Sequence, residues 1–295
     1  MTGNQIFQSV TDEAQYIKEG YVKKRLFTSQ QVTEILQQLL ALKPDDNFAP
    51  QRAGSSNYHC TFLDTNAEYK RAANALFKYY FNPLINELFY DYQLWNANLY
   101  VKPPGAGKFE IHQNWTHVVD EKYTTFTIWC PLVDTTAENG TICLVKGSHK
   151  IVPDIATMDV PYYFHDFEKE LVEKYLEPMA CEAGECLIFE DGLIHFSDIN
   201  KTGAPRYALQ VLIGPKSIRP VYFYFDKNNP EKGFEVFEID ESFFLNSSYL
   251  TFKNRPSAHK SIGFIPNNNK LITEEKFIEA LEKGDERRKR IYGDV

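Results

Sequence analysis

The stretch Cys186-Leu-Ile-Phe-Glu-Asp-Gly-Leu-Ile-His-Phe-Ser197 contains the pattern that decides the fold. Two short apolar runs, 186–190 and 193–196, flank the turn residues Glu190-Asp191-Gly192. Short runs of β-branched and aromatic residues, bounded by Gly, Pro, Asn or Asp, are typical of β-strands. Further runs of this kind lie at 94–102, 109–119, 123–133, 141–146, 206–213 and 221–225. About eight short strands in one domain favour a sandwich or barrel, and eight suit a jelly roll.

Helical patterns lie on both sides of this β-rich block. Thr28 can cap a helix over residues 28–42, with Gln31 completing a capping box. Asn66 can cap a second helix that runs toward Pro83, and a third, short helix is predicted at Leu84–Phe89. We therefore predict a mainly β fold in which helices flank a jelly roll.

The C-terminal part of the chain also predicts a helix, which begins at Thr273. Its apolar face would be formed by Phe277, Ile278 and Leu281. The basic run Arg287–Arg290 is expected to close this helix, where it complements the helix dipole.

We expect the whole chain, residues 1–295, to form one domain with three parts. These are an N-terminal helical region, a jelly-roll core and a C-terminal extension that ends in a helix, at residues 1–91, 92–225 and 226–295. The core carries an insert at 151–180, which is rich in aromatic residues around 162–167 and has a predicted helix near 166–176. An insert of this length between core strands often covers a site as a lid.

The composition excludes several kinds of partner. The net charge of −8 argues against nucleic acid, since phosphate contacts need clustered Lys and Arg. No run of about 18 apolar residues is present, so no membrane span is predicted, and residues 1–30 lack the apolar run of a signal peptide. The five cysteines show neither disulfide nor zinc spacing, which fits a reducing compartment. We expect a cytoplasmic enzyme with a small-molecule substrate; the oligomeric state is left open.

Two histidines on predicted strands are candidate metal ligands. His112 lies in the run 109–119, where Asn114 points to the same face of an extended strand, and His195 lies in the run 193–196. Two strands of a jelly roll can bring both imidazoles to one point. Two histidines and one carboxylate, with open positions, are typical of non-haem Fe(II) oxygenases. The alternative is that each histidine is a separately hydrogen-bonded residue without a metal.

Arg206 is a candidate binder of an acidic cosubstrate. It begins an apolar strand, so its charge needs a partner if it is buried. A guanidinium can hold a carboxylate through two parallel hydrogen bonds; the alternative is a surface ion pair. Two sets of alternating residues are candidates to line the same pocket, namely Thr125, Thr127 and Trp129 on one strand and Asn96, Asn98 and Tyr100 on another.

Taken in order, these motifs resemble the phytanoyl-CoA dioxygenase-like family of Fe(II)- and 2-oxoglutarate-dependent oxygenases. The resemblance covers about residues 92–215 and rests on His112-Gln-Asn114, Trp129–His149, Ala183–Phe189, His195–Asn200 and Pro205-Arg206. It implies a double-stranded β-helix, which is a jelly roll of the cupin type. It also implies Fe(II), 2-oxoglutarate and O2 as the metal, the cosubstrate and the oxidant.

The resemblance further implies roles for single residues. His112 and His195 would bind the metal, which also receives the 1-carboxylate and keto oxygen of 2-oxoglutarate. Arg206 would hold the far carboxylate, and Ser197, two residues after His195, would donate its hydroxyl to the same carboxylate. The Glu138-Asn139-Gly140 turn contains Asn-Gly, the preferred dipeptide of a type I′ hairpin, and is interpreted as structural. Gly147-Ser148-His149 is expected to close a loop at the pocket rim.

Position 114 departs from the family pattern. The family has an Asp ligand two residues after the first histidine, and this chain has Asn114. Loss of the anion removes a large Coulomb attraction to a divalent cation, even at an effective dielectric of about 20. Asn114 could ligate or position the metal in an active oxygenase, leave a coordination position open as in related halogenases, or mark a chain that has lost the chemistry. Asp120, Glu121 and His117 are weaker candidates for a substitute ligand.

The leading hypothesis is an oxygenase that hydroxylates, desaturates or cyclises a small molecule at a C–H bond, in amino-acid or natural-product metabolism. One alternative is a redox-inactive relative that binds a small acid or a metal. Another is a cupin-like enzyme that uses the metal as a Lewis acid without 2-oxoglutarate. The substrate and the position oxidised are not encoded in these motifs.

Overall fold

A six-stranded antiparallel sheet forms one wall of the core. Its strands are, in order across the sheet, β1 (Tyr21–Arg25), β8 (Glu185–Glu190), β5 (Phe126–Pro131), β10 (Arg206–Pro215), β3 (Tyr92–Lys102) and β2 (His59–Cys60). The computed structural model describes residues 5–42, 46, 48–50, 57–151 and 155–283. The predicted basic run Arg287–Arg290 lies outside the described residues.

Three helices cover one face of the six-stranded sheet: α1 (Val10–Glu19), α2 (Ser29–Leu42) and α3 (Ala67–Leu88). Alternation along β10 shows how the sheet is shared between two sides. Leu209, Val211 and Ile213 pack into the core beneath the helices, whereas Arg206 and Gln210 point to the opposite face and line a cavity.

The N-terminal part of the chain, predicted as a helical region, also contributes two strands to the core sheet. Residues from α1, α2 and α3 share one hydrophobic core with β3, β5, β8 and β10, and β1 and β2 are the two edge strands of the sheet. This packing supports the one-domain organisation, which stays a prediction.

Helix boundaries agree with the sequence in one place and differ in another. The capping box of α2 is present, since Thr28 N donates to Gln31 Oε1 and Gln31 N donates to Thr28 Oγ1. The separate helix predicted at Leu84–Phe89 is wrong, because α3 continues through Pro83. A proline inside a helix removes one hydrogen bond. Here the buried face of α3, which extends on both sides of Pro83, holds the helix together by packing against β3.

The second sheet has four strands, β4 (Phe109–His112), β9 (His195–Ser197), β6 (Ile142–Leu144) and β7 (Glu177–Pro178), in the order β4-β9-β6-β7. All neighbours are antiparallel. The predicted strand over 109–119 ends early, at His112. Beyond it the backbone bonds to loops instead of a strand: Asn114 N donates to Asp191 O and Thr116 N donates to Ala156 O.

A third sheet and three helices complete the described fold. The sheet contains β11 (Val221–Phe225), β12 (Phe234–Glu238) and β13 (Lys260–Ile265), and the helices are α4 (Glu168–Lys174), α5 (Glu241–Asn246) and α6 (Glu274–Lys283). The predicted helices in the insert and after Thr273 are therefore present. Phe277 and Leu281 of α6 pack into one cluster with the insert, but Ile278 is not part of it. Among the described residues, no helix has the length and apolar character that a membrane span requires.

Candidate metal and cosubstrate site

His112 and His195 lie directly opposite each other on the neighbouring strands β4 and β9. Their ring centroids are 4.1 Å apart, so both imidazoles can reach one ion. The Nδ1 of His112 lies 2.7 Å from the carbonyl oxygen of Glu110, and the Nδ1 of His195 lies 2.8 Å from that of Leu193. A carbonyl oxygen only accepts hydrogen bonds, so each Nδ1 carries the proton and each Nε2 keeps its lone pair for a metal.

The protonation of His195 also suits a metal ligand. Burial and, next, the neighbouring His112 lower the pKa of His195 well below its ordinary value of 6.5. The ring is therefore neutral near neutral pH, and metals bind the neutral imidazole. Phe189 packs edge-on against His195 with the centroids 5.0 Å apart, which helps to keep water from this side of the ring.

Asn114 lines the same cavity as the two imidazoles, and its amide is held by two hydrogen bonds. The Nδ2 atom donates to Thr127 Oγ1 at 2.8 Å and to Asp191 Oδ1 at 2.9 Å. Both N–H groups of the amide are thus used, and Oδ1 is the atom left to meet a metal. This geometry fits a neutral ligand set of His112, Asn114 and His195.

In the part of the chain that the structure describes, no carboxylate replaces the missing one directly. Among the described residues, no third His, Cys, Asp or Glu joins the two imidazoles with all ligand atoms within 4.8 Å of one another. Asp120 pairs with Lys122 at 2.9 Å on the surface, and Glu121 is exposed. His117 is buried, and its Nδ1 bonds the carbonyl oxygen of Val221 at 2.9 Å. None of these three candidates is a ligand in this arrangement.

Asp191, in the turn that precedes β9, is the carboxylate that contacts Asn114. Its Oδ1 also accepts a hydrogen bond from the Thr127 hydroxyl at 2.7 Å, and its Oδ2 has no hydrogen-bond partner among the described residues. Burial raises the pKa of Asp191 above its ordinary value of 3.8, while hydrogen bonds from Thr125, Thr127 and Asn114 and the charge of His117 act in the opposite direction.

Arg206 lies in the wall of a small inner chamber of about 70 Å³, together with His195, Ser197 and Trp129. The arginine is 3% exposed, and neither Nε nor Nη1 has a hydrogen-bond partner among the described residues. The Trp129 ring lies 5.6 Å from the guanidinium carbon. Burial alone lowers the pKa of Arg206 to about 9. A buried guanidinium with unused N–H groups needs an anion, and a dicarboxylic acid such as 2-oxoglutarate would supply one.

Lys102 lies beside Arg206 as its cross-strand partner on β3. Its Nζ donates to Ser197 Oγ at 2.5 Å, to Asp198 O at 2.6 Å and to Ser197 O at 3.3 Å. Burial and, next, the charge of Arg206 lower the pKa of Lys102 to about 6. The Ser197 hydroxyl donates to Gly140 O at 2.7 Å, so its proton is directed to that loop. The predicted donation from Ser197 to a cosubstrate would require this hydroxyl to rotate.

A larger, outer chamber of about 370 Å³ adjoins the inner one. The two chambers share six lining residues, which are Tyr100, Phe109, His112, Asn114, Thr127 and Gln210. The insert contributes Met158 and Tyr162 to the outer wall, where the Tyr162 hydroxyl donates to Gln113 O at 3.3 Å. The candidate ligands therefore lie where the two chambers meet, so a cosubstrate and a substrate could approach one ion from different sides.

The residues predicted for the site all line these two chambers. They are His112, Asn114, His195, Arg206, Ser197, Thr127, Trp129 and Asn98. Asn96 and Tyr100 join them, whereas Thr125 lines neither chamber and instead contacts Asp191. Their roles toward a metal and a cosubstrate stay predictions.

The hairpin predicted at Glu138-Asn139-Gly140 is wrong. Residues 137–139 form a single 3₁₀ turn, capped by the Thr136 side chain and ended by Gly140 in the left-handed region with φ 71°. The turn connects β5 to β6, which belong to different sheets, so no hairpin can form across it. An alanine Cβ at Gly140 would come within 2.2 Å of Asp198 O, so this position also requires glycine for close approach.

The segment Gly147-Ser148-His149 does not line either chamber, contrary to the expectation of a pocket rim. Ser148 Oγ accepts a hydrogen bond from Ile194 N at 2.8 Å, and His149 packs near the Tyr16 ring. The segment therefore supports β9 from the side away from the chambers.

Three polar residues in or next to the chambers were missed from the sequence. Lys102 continues the alternation of Asn96, Asn98 and Tyr100 along β3, so the strand period offered a signal for it. Gln210 has the same parity as Arg206 on β10 and bonds the hydroxyl of Tyr100 at 3.1 Å. Asp191 offered no local signal, because Glu-Asp-Gly is an ordinary turn sequence.

Comparisons with known proteins agree with this geometry. The sequence model of the phytanoyl-CoA dioxygenase (PhyH) family matches residues 16–208. The non-heme alpha-ketoglutarate-dependent carbocyclase SnoK from nogalamycin biosynthesis aligns with a TM-score of 0.56 and 17% identity, over 72% of this chain and 86% of that chain. The epimerase SnoN, solved with Fe3+, alpha-ketoglutarate and nogalamycin RO, gives a TM-score of 0.51 and 20% identity over 71% and 83%. No curated protein is similar to the chain at a significant level.

HygX from Streptomyces hygroscopicus, solved with nickel, 2-oxoglutarate and hygromycin B, aligns with a TM-score of 0.50 and 15% identity, over 70% of this chain and 87% of that chain. The solved structures confirm the predicted jelly roll, and the family match confirms the predicted resemblance and oxidoreductase class. The metal and the oxo acid bound in SnoN and HygX agree with the predicted Fe(II) and 2-oxoglutarate. The ligand role of Asn114 stays a prediction.

Proposed function

Because the chain belongs to the phytanoyl-CoA dioxygenase family, we propose that it is a non-haem Fe(II)- and 2-oxoglutarate-dependent oxygenase of a small molecule. The observation that carries the proposal is the meeting of two chambers at His112 and Asn114, beside His195. The inner chamber contains the Arg206 guanidinium, whose Nε and Nη1 have no hydrogen-bond partner in the part of the chain that the structure describes. The outer chamber has room for an organic substrate. A metal ion at this junction would be accessible from both chambers.

Each residue around the junction has a distinct task in this proposal. His112 and His195 hold the ion through Nε2, and Asn114 offers its Oδ1. Arg206 binds the far carboxylate of 2-oxoglutarate through its unused N–H groups. When bound, the iron supplies the oxidative chemistry, in which O2 converts 2-oxoglutarate to succinate and CO2 while a substrate C–H bond is oxidised. The Trp129 and Phe189 rings shield the inner chamber from water.

The outer chamber favours a neutral substrate with ring surface and hydrogen-bonding groups. Aromatic walls suit apolar ring contact, and the amides of Asn96, Asn98 and Gln210 can bond hydroxyl or amide groups. Lys108 and Glu110 at this wall are joined at 2.8 Å and so neutralise each other, and the Asp191 side chain in the same wall accepts hydrogen bonds from Asn114 and Thr127. A natural-product intermediate that is hydroxylated, desaturated or cyclised fits this description. The five cysteines are free thiols, which supports a reducing, cytoplasmic setting.

The test is Fe(II)-dependent conversion of 2-oxoglutarate to succinate, measured with the purified full chain under O2. We expect slow turnover even without substrate, abolished in His195→Ala because a metal ligand is lost. Arg206→Gln should weaken 2-oxoglutarate binding by about 100-fold, the equivalent of about 3 kcal/mol for a charge-assisted pair. His165→Ala and Arg219→Gln are matched controls, since both residues are exposed. Wild-type protein that neither retains a divalent metal nor forms succinate contradicts the proposal.

The neutral Asn114 supports a second candidate, a relative that binds the metal and the acid without oxygenase chemistry. Metal and 2-oxoglutarate binding without any succinate, across a panel of neutral ring-bearing substrates, would favour this candidate. A halogenase-like open position is less favoured, because the Asn114 side chain lines the chamber beside both imidazoles and both its N–H groups are anchored.

A further inference from the structure

We propose that Asp191 is a positioning residue that supplies, through Asn114, the negative charge that the metal site lacks in its ligand shell. The inference rests on the proposed function, since it concerns the same ion. In this inference, the side chain of Asp191 provides the negative charge near the metal ion that an Asp ligand at position 114 would otherwise provide.

The contacts tie Asp191 to the ligand set at both ends. Asp191 Oδ1 accepts the Asn114 Nδ2–H at 2.9 Å and the Thr127 hydroxyl at 2.7 Å, and Asp191 O accepts the backbone N–H of Asn114 at 3.0 Å. Asp191 also lies four residues before His195, in the turn that leads into β9. One residue therefore contacts the chain just after His112 and lies in the turn before the strand that carries His195.

The carboxylate fixes which atom of the Asn114 amide faces the metal. With Nδ2 bonded to Asp191 and Thr127, the amide oxygen is directed elsewhere. A flipped amide would place its oxygen against an acceptor-only carboxylate, and the Thr127 oxygen would lose the N–H that it accepts. An N–H that donates to an anion also increases the negative charge on the amide oxygen, which improves it as a ligand for a cation.

Asp191 is buried, and the hydrogen bonds to its side chain come from the neutral side chains of Asn114 and Thr127. The carboxylate is 4% exposed, its Oδ2 has no hydrogen-bond partner among the described residues, and the nearby titratable group is His117, whose Nδ1 is taken by Val221 O. Asp191 is not placed to bind the ion directly, because its carboxylate oxygens and the ring nitrogens of the two imidazoles do not all lie within 4.8 Å of one another. A divalent cation held by two imidazoles and an amide oxygen would compensate this buried charge from the far side of Asn114.

The test measures the affinity of the apoprotein for Mn²⁺ alone, by calorimetry and by the electron paramagnetic resonance signal of free Mn²⁺. Asp191→Asn keeps the shape and the hydrogen-bond acceptor but removes the charge. We expect it to weaken Mn²⁺ binding by about 10- to 100-fold, the usual effect of losing an outer-shell partner. Glu190→Gln is the matched control, because Glu190 is the neighbouring buried carboxylate but bonds the Tyr16 hydroxyl and lines neither chamber.

The charge-swapped double variant Asn114→Asp/Asp191→Asn separates charge from folding. It keeps one amide and one carboxylate in contact, so it should fold and bind Mn²⁺ at least as tightly as the wild type. Wild-type affinity in Asp191→Asn, an equal loss in Glu190→Gln, or a double variant no better than Asp191→Asn would each overturn the inference while leaving the oxygenase proposal intact. Absence of Mn²⁺ binding in the wild type would instead overturn the proposed function, and this inference with it.

Discussion

Lys102 and Arg206 place two buried basic side chains side by side, and Arg206 lines the inner chamber. They are register partners on β3 and β10, and burial lowers the pKa of both side chains. Three oxygen atoms around Lys102 Nζ favour the ammonium, whereas burial and Arg206 oppose it. A carboxylate bound at Arg206 would add a negative charge near Lys102 and would therefore favour the protonated lysine.

This balance gives 2-oxoglutarate binding a defined pH dependence. The pKa of Lys102 falls from 10.5 to about 6 in the free protein, so the amine is mostly neutral near neutral pH. A bound carboxylate raises that pKa, so binding takes up a proton and affinity should rise as the pH falls toward about 6, then level off below it. Calorimetry of the Mn²⁺-loaded protein in buffers of different ionisation enthalpy should show the uptake, and Lys102→Met should lose it. The same uptake in the variant would contradict the assignment.

At the scale of elements, the three-residue strand β9 depends on a segment outside the chambers. The backbone on either side of Ile194 is held by β6 and its following turn: Val145 N donates to Ile194 O, and Ile194 N donates to the Ser148 hydroxyl. Ile194 is fully buried, so no water can replace the serine. The position of the next residue, His195, is therefore set partly by the Gly147-Ser148-His149 segment.

Removing the Ser148 hydroxyl should therefore affect both stability and metal binding. Ser148→Ala leaves the buried Ile194 N–H without an acceptor, which should lower the free energy of unfolding by about 1–3 kcal/mol. Mn²⁺ affinity should fall with it, because His195 loses its support. Urea denaturation and Mn²⁺ titration measure the two effects. Ser257→Ala, at an exposed serine, should change the unfolding free energy by less than about 0.5 kcal/mol; equal effects in the two variants would refute the role of Ser148.

Strand periodicity predicted more of this molecule than any other signal. Alternation identified Asn98 and Thr127 as cavity residues before any partner strand was known, because the side-chain period of a strand is local. The edge strands were missed, since β1 pairs with β8 through Tyr21 and Phe189, far apart in sequence, and only that pairing makes five residues a strand. Asp191 was missed for a similar reason: its candidate role follows from its contact with Asn114, which is distant from it in sequence.

On the scale of the whole molecule, the C-terminal helix α6 braces the insert that walls the outer chamber. Phe277 is fully buried and contacts the rings of Phe167 and Tyr175, and Glu274 pairs with Lys174 at 2.9 Å. The same insert reaches the chamber with Tyr162 and Met158. The inner chamber, by contrast, is lined by no described residue of the insert or of α6. A change in the shape of the outer chamber should therefore leave metal and cosubstrate binding unchanged.

Phe277→Ala tests this separation. Removing a fully buried phenylalanine should destabilise the packing between α6 and the insert by about 3–5 kcal/mol. The insert shares its hydrophobic cluster with Ile111 and Phe196 of the neighbouring sheet, but this cluster contains no residue of β5, β8 or β10. We therefore expect local opening, seen as faster hydrogen exchange in residues 162–176 with unchanged protection of β5, β8 and β10. Mn²⁺ and 2-oxoglutarate affinities should stay within about twofold of wild type. Val172→Ala, on the exposed face of α4, is the control. Slow exchange in the insert of Phe277→Ala would contradict the bracing role of α6, and loss of Mn²⁺ binding would show that the two chambers are not independent.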